Sequence, residues 1–117
     1  MKDDRVYLNH ILLTIQKIEK HRRLGRKRFL ASETIQDAVL RNLQTMAEST
    51  QRLSEKIKAT QPTIPWSDIA GFRNILVHNY LGVDLETIWG IMNDEIAELR
   101  RAIEAMLKSL PNANKSN

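Results

Sequence analysis

Apolar residues recur at intervals of three and four along three long stretches of this chain, and that spacing leaves few folds open. Leu8, Ile11, Leu12, Ile15 and Ile18 mark one face of a helix from about Asp4 to Arg23, because 3.6 residues per turn return a side chain to the same side at those steps. Gly25 marks its end, and a basic connector leads to Ser32, placed to cap a second helix with Glu33 in its first turn. From there Ile35, Val39, Leu43, Met46, Thr50, Leu53 and Ile57 keep near-heptad spacing to about Thr60, with Asn42 and Thr50 as polar interruptions of the seam. Pro62 and Pro65 then stiffen and break the chain, and a short helix is expected from Pro65 or Trp66 to about His78. A last series, Leu85, Ile88, Met92, Ile96, Leu99, Ile103, Met106 and Leu110, follows a cap at Asp84, with Val83 placed to staple onto Ile88, and Pro111 closes it.

Four glycines and three prolines among 117 residues are too few for the turn every 8 to 12 residues or so that a β-sandwich requires. The expected fold class is therefore all-α: an antiparallel helical bundle of three long helices plus a short one. It should form a single domain over residues 1–111, with a flexible tail over 112–117. The absence of cysteine removes thiol nucleophiles, disulfides and Cys-based metal sites from consideration. Uninterrupted apolar runs reach only three residues, as at Ile75-Leu76-Val77, far short of the roughly 18 that a membrane-spanning helix needs. The start of the chain, Met1 to Arg5, is charged and leads into an amphipathic pattern, so a cytoplasmic protein without membrane attachment is expected.

The formal charge of +4 is unevenly placed. Lys17, Lys20, Arg22, Arg23, Arg26, Lys27 and Arg28 are opposed within their stretch only by Glu19, so these twelve residues carry +6 and the rest of the chain −2. A helix C-terminus favours two or three cations through its dipole. Seven exceed that need and suit a polyanion, which makes Arg22, Arg23, Arg26, Lys27 and Arg28 candidate nucleic-acid contacts.

Candidates for chemistry are few. His10, His21 and His78 show no metal-ligand spacing, acidic pairs such as Asp94-Glu95 point to different helix faces, and no glycine loop cradles a phosphate. No metal or other cofactor is therefore expected. The segment Gly71-Phe72-Arg73-Asn74-Ile75-Leu76-Val77-His78-Asn79-Tyr80 remains. On a helix Asn74 and His78 share a face, whereas Arg73 and His78 stand roughly 140° apart. Singly, Arg73 reads as a surface ion-pair partner, His78 as a cation at a helix end and Tyr80 as a rim aromatic.

Together, Arg73, His78 and Tyr80 resemble the R-x4-H-x-Y motif of the HepT family of HEPN-domain toxins. The resemblance extends to Gln36-Asp37-Ala38-Val39-Leu40-Arg41-Asn42-Leu43, to Glu48, and to Pro65-Trp66 before the motif, and covers the chain from Asp4 to Leu107. It implies metal-independent RNA cleavage by Arg73 and His78, with Asn74 in support. Such cleavage needs a base for the 2′-hydroxyl, an acid for the leaving 5′-oxygen and a cation for the charged phosphorane, roles that imidazole and guanidinium can fill. With one motif histidine per chain, a homodimer, or a higher oligomer of dimers, would supply two. The resemblance further implies a partner, an MntA-like nucleotidyltransferase acting as antitoxin by transferring AMP to Tyr80. A noncatalytic helical partner of a nucleotidyltransferase is the alternative reading, and a purely structural bundle a third.

Overall fold

The computed structural model describes residues 3–79 and 82–111. Helices α1 (Asp4–Arg22), α2 (Arg26–Ala31), α3 (Glu33–Gln51), α4 (Glu55–Lys58), α5 (Trp66–His78), α6 (Leu85–Gly90) and α7 (Ile96–Ser109) follow in order, with a five-residue π turn at Ile91–Glu95 joining the last two into one rod. There is no strand among the described residues, so the all-α expectation holds. Helix α3 packs between α1 and α5, and α1 also packs on α7. The core is the predicted one: Leu8, Ile11, Ile15 and Ile18 of α1 meet Val39, Leu43 and Met46 of α3 and Ile88, Met92, Ile96, Leu99, Ile103 and Met106 of the terminal rod, all buried. Of the two polar interruptions, Thr50 is buried and donates its hydroxyl to the Ala47 carbonyl at 2.7 Å, while half-buried Asn42 donates to the Ala38 carbonyl at 2.9 Å. Satisfying these groups within their own helix removes most of the cost of placing them on the seam.

Three boundaries differ from the sequence reading. The stretch after Gly25 is helical and not a connector; Gly25 itself has φ 97°, a left-handed conformation open to glycine at little steric cost. This turn lets α2 fold back so that Phe29 is fully buried and lies 6.0 Å from the Trp89 ring. The second long helix stops at Gln51, short of Thr60, and restarts as α4. The reason is a competing cap: the Ser54 hydroxyl accepts from the Ile57 N–H, and the Asp4 carboxylate takes the Ser54 N–H at 2.8 Å and its hydroxyl at 2.7 Å. The restart keeps Leu53 and Ile57 both buried. Finally, the rod after Asp84 carries the π turn, in which the Ile96 N–H reaches back five residues to the Ile91 carbonyl. Asp84, Ser32 and Asp3 each cap the helix they precede. Tyr80 and the expected tail 112–117 lie outside the described residues.

Candidate active site

Helix α5 is short and only its Leu76 is fully buried. Trp66 anchors its start: the indole N–H donates to the Lys58 and Gln61 carbonyls at 3.1 and 3.2 Å. Ile69 and Phe72 pack partly buried against the core, while Asn74 and His78 are exposed. Arg73 lies on the side toward α3, where its Nε and Nη2 donate to Glu48 Oε2 at 3.3 and 3.2 Å. Its Nη1 donates to Asn74 Oδ1 at 3.2 Å, and the Gln44 amide also donates to Glu48 Oε2, at 3.3 Å. The guanidinium is thus oriented from two helices while its side chain stays 31% exposed.

His78 is the last residue of α5 and is exposed, as is Asn74 one turn before it. Both belong to one helix, so the register expected from sequence applies: Asn74 and His78 share the outward face, and Arg73 stands to the side. The structure brings Arg73 and Asn74 into direct contact and sets His78 about 7.5 Å further along the helix axis, from a rise of about 1.5 Å per residue. Ile75 and Val77 on α5 are exposed apolar side chains, and so are Val6 and Leu13 on α1, which line a groove with Glu48 of α3.

The basic stretch closes α1 and forms α2. Arg23, Lys27 and Arg28 are exposed and Arg22 is half-buried. Arg26 is engaged, forming a two-point ion pair with Glu86 at the start of α6. Glu19, the one carboxylate of the stretch, is paired with Arg100 of α7, which also holds Glu104. The Arg26–Glu86 pair also fixes position. It ties α2 to the start of α6.

Glu48 is the site residue whose role the sequence did not reveal. It stands 25 positions from Arg73, and its only local signal is a polar step, Gln44 to Glu48, on a helix with a buried seam. Among the described residues no group of three His, Asp or Glu side chains could hold a metal ion, and no helix is long and apolar enough to cross a membrane.

A helical bundle with an arginine and a histidine displayed on one short, incompletely buried helix defines an HEPN-like class of protein. Residues 11–106 match the family model described as ribonuclease HepT-like, and the chain belongs to that family. It is 34% identical over 117 residues to a protein of Methanocaldococcus jannaschii named "Gamma-glutamylcyclotransferase and putative RNase", covering 99% of this chain and 52% of that one; the chain thus spans about half of that relative. It is 31% identical over 109 residues to a "Putative RNase" of Caldanaerobacter subterraneus, covering 92% and 97% of the two chains. A "Probable ribonuclease HepT" of Thermococcus cleftensis is 32% identical over 103 residues, 87% of this chain and 94% of the other. No solved structure matches the chain significantly.

Proposed function

We propose that this chain is the ribonuclease toxin of a toxin–antitoxin pair, cleaving RNA without a metal through Arg73 and His78. One observation carries the reading: Arg73 is held ready by Glu48 and Asn74 on the same short helix that exposes His78, in a chain of the ribonuclease HepT-like family. Guanidinium pairs with two phosphoryl oxygens at once, and imidazole exchanges a proton near neutral pH. Arg22, Arg23, Lys27 and Arg28 guide the RNA backbone by charge without reading its sequence. Arg26, committed to Glu86, contributes less.

The active unit is a homodimer or an oligomer of dimers. Supporting this are Ile75 and Val77, exposed on the motif helix, and Val6 and Leu13, exposed on α1, apolar surface that a second copy would cover. The 140° between Arg73 and His78 is also bridged when Arg73 of one protomer works with His78 of its partner. Silencing comes from an MntA-like nucleotidyltransferase that adds AMP to Tyr80, placing a phosphodiester where substrate phosphate enters.

The test is RNA cleavage by the purified chain in excess EDTA, against His78→Ala. Wild-type protein should leave 2′,3′-cyclic phosphate ends, and the variant should lose about 10²-fold or more of the rate while melting at the same temperature. Full activity of His78→Ala, or strict dependence on magnesium, overturns the reading. Retained binding of a nucleotidyltransferase by a wild-type chain that cleaves nothing would point instead to a noncatalytic partner subunit.

A further inference from the structure

Of the large apolar side chains exposed among the described residues, Val6, Leu13, Ile75 and Val77 have a place in the dimer proposed above, and Leu24 has none. Leu24 stands in the turn between α1 and α2 and is 39% exposed, an apolar residue set inside the basic stretch. Arg23 precedes it, and Lys27 and Arg28 follow in the first turn of α2. All three are exposed, and none forms a salt bridge among the described residues. Buried Phe29 and the Arg26–Glu86 pair tie α2 to the terminal rod, so the turn is presented by a fixed framework. A counterpart lies elsewhere on the same chain. Helix α5 packs on α3, and between α5 and the terminal rod is an apolar cavity of about 300 Å³, with Ile69 and Phe72 on one wall, Ile96 and Leu99 on the other and Met46 of α3 between them. Its rim carries Asp68, Glu95 and Glu98, all exposed and without a salt bridge among the described residues. Arg101, which shares an adjoining groove with Glu98, does not pair with it.

We infer that a second copy of this chain seats its Leu24 in this cavity, with its Arg23, Lys27 and Arg28 set against Asp68, Glu95 and Glu98. The leucine supplies affinity by leaving water for an apolar wall, and the opposite charges at the rim set orientation and speed the encounter. Charge complementarity selects the occupant: cations flank the one exposed apolar residue left without a place, and carboxylates flank the cavity. Leu24 and the cavity are different patches of the surface, so the contact is head-to-tail, and each copy keeps one free patch of either kind. A two-fold dimer formed through the motif face carries two of each, and the contact then joins dimer to dimer. The cations it engages are among those that guide RNA in the reading above, so assembly and RNA compete for them. The inference goes beyond the ribonuclease reading and stands without it.

The experiment is sedimentation velocity of the full chain without RNA, over a range of protein concentrations at low and at high salt. On raising concentration, wild type should form a larger species than Leu24→Ser does at the same concentration, and high salt should weaken that step. Leu24→Ser should weaken it by about 10-fold or more, with an unchanged melting temperature because the side chain is exposed. Two charge-reversed chains, Arg23→Glu/Lys27→Glu/Arg28→Glu and Asp68→Lys/Glu95→Lys/Glu98→Lys, should each fail to form the larger species alone, and mixing them should restore it. A wild type no larger than Leu24→Ser at any concentration overturns the inference, and so does a mixture that restores nothing. Loss of the larger species in the chain with reversed carboxylates while Leu24→Ser assembles like wild type would put another segment of the second copy in the cavity, and also overturns it. A chain that assembles in this way but cleaves no RNA defeats the ribonuclease reading alone.

Discussion

Arg73 and Arg100 are both gripped by carboxylates from neighbouring helices, and to similar depth: the Arg100 side chain is 34% exposed and that of Arg73 31%. Their counter-charges differ. Arg100 has two, donating at 3.2 Å to Glu104 one turn along α7 and also to Glu19 of α1. The Glu104 hydrogen bond, with the charge of Glu19 behind it, raises the Arg100 pKa further above its already high ordinary value. Arg73 has one carboxylate, Glu48, whose Oε2 also accepts from Gln44, and a neutral amide oxygen from Asn74. The Arg100 cluster therefore sums to −1, whereas the Arg73 cluster sums to zero. Exposure does not distinguish Arg73 from Arg100; the number of carboxylates around each does.

The largest effect should come from Arg73→Lys, which keeps the charge and loses the two-pronged fork. RNA cleavage should fall by about 10²- to 10³-fold, as when a donor to developing negative charge is removed, with little change in melting temperature. Near-normal activity in the lysine variant would show that charge alone suffices and would dissolve the contrast with Arg100. Glu48→Gln is the next step down. It preserves shape but weakens the grip on Arg73, and should cost about 10- to 10²-fold in rate through misplacement of the guanidinium; an increase in rate would show instead that Glu48 restrains the arginine. The smallest effect belongs to Arg100→Leu, where cleavage should stay at the wild-type rate. Stability should drop by about 1 kcal/mol or less, since a third-exposed ion pair is screened by solvent, a shift readable in a thermal melt.

The sequence displayed the helices clearly because their apolar spacing is a direct image of which face is buried. It hid whatever depends on contacts across the bundle. The break at Arg52 and Leu53 arises from the Asp4 carboxylate, fifty positions away, reaching the Ser54 cap; a heptad-like series running on through Leu53 and Ile57 masks it. The π turn leaves no trace in the periodicity either, since Ile88, Met92 and Ile96 step as they would on an ordinary helix. At the site, Arg73, Asn74 and His78 were legible as a motif on one helix, but Glu48 was only a matching residue until α3 and α5 were placed side by side.

The π turn at Ile91–Glu95 sets the angular phase of the two halves of the terminal rod. Glu86, before the turn, is aimed at Arg26, and Arg100, after it, is aimed at Glu19. Each residue added to or removed from a helix rotates everything beyond it by about 100°. A chain one residue shorter here would form a plain helix of better hydrogen bonding and point one of those two side chains away from its partner. The wide turn acts as a spacer in a gear train, so the exact length between Glu86 and Arg100 matters more than the identity of the residues that fill it.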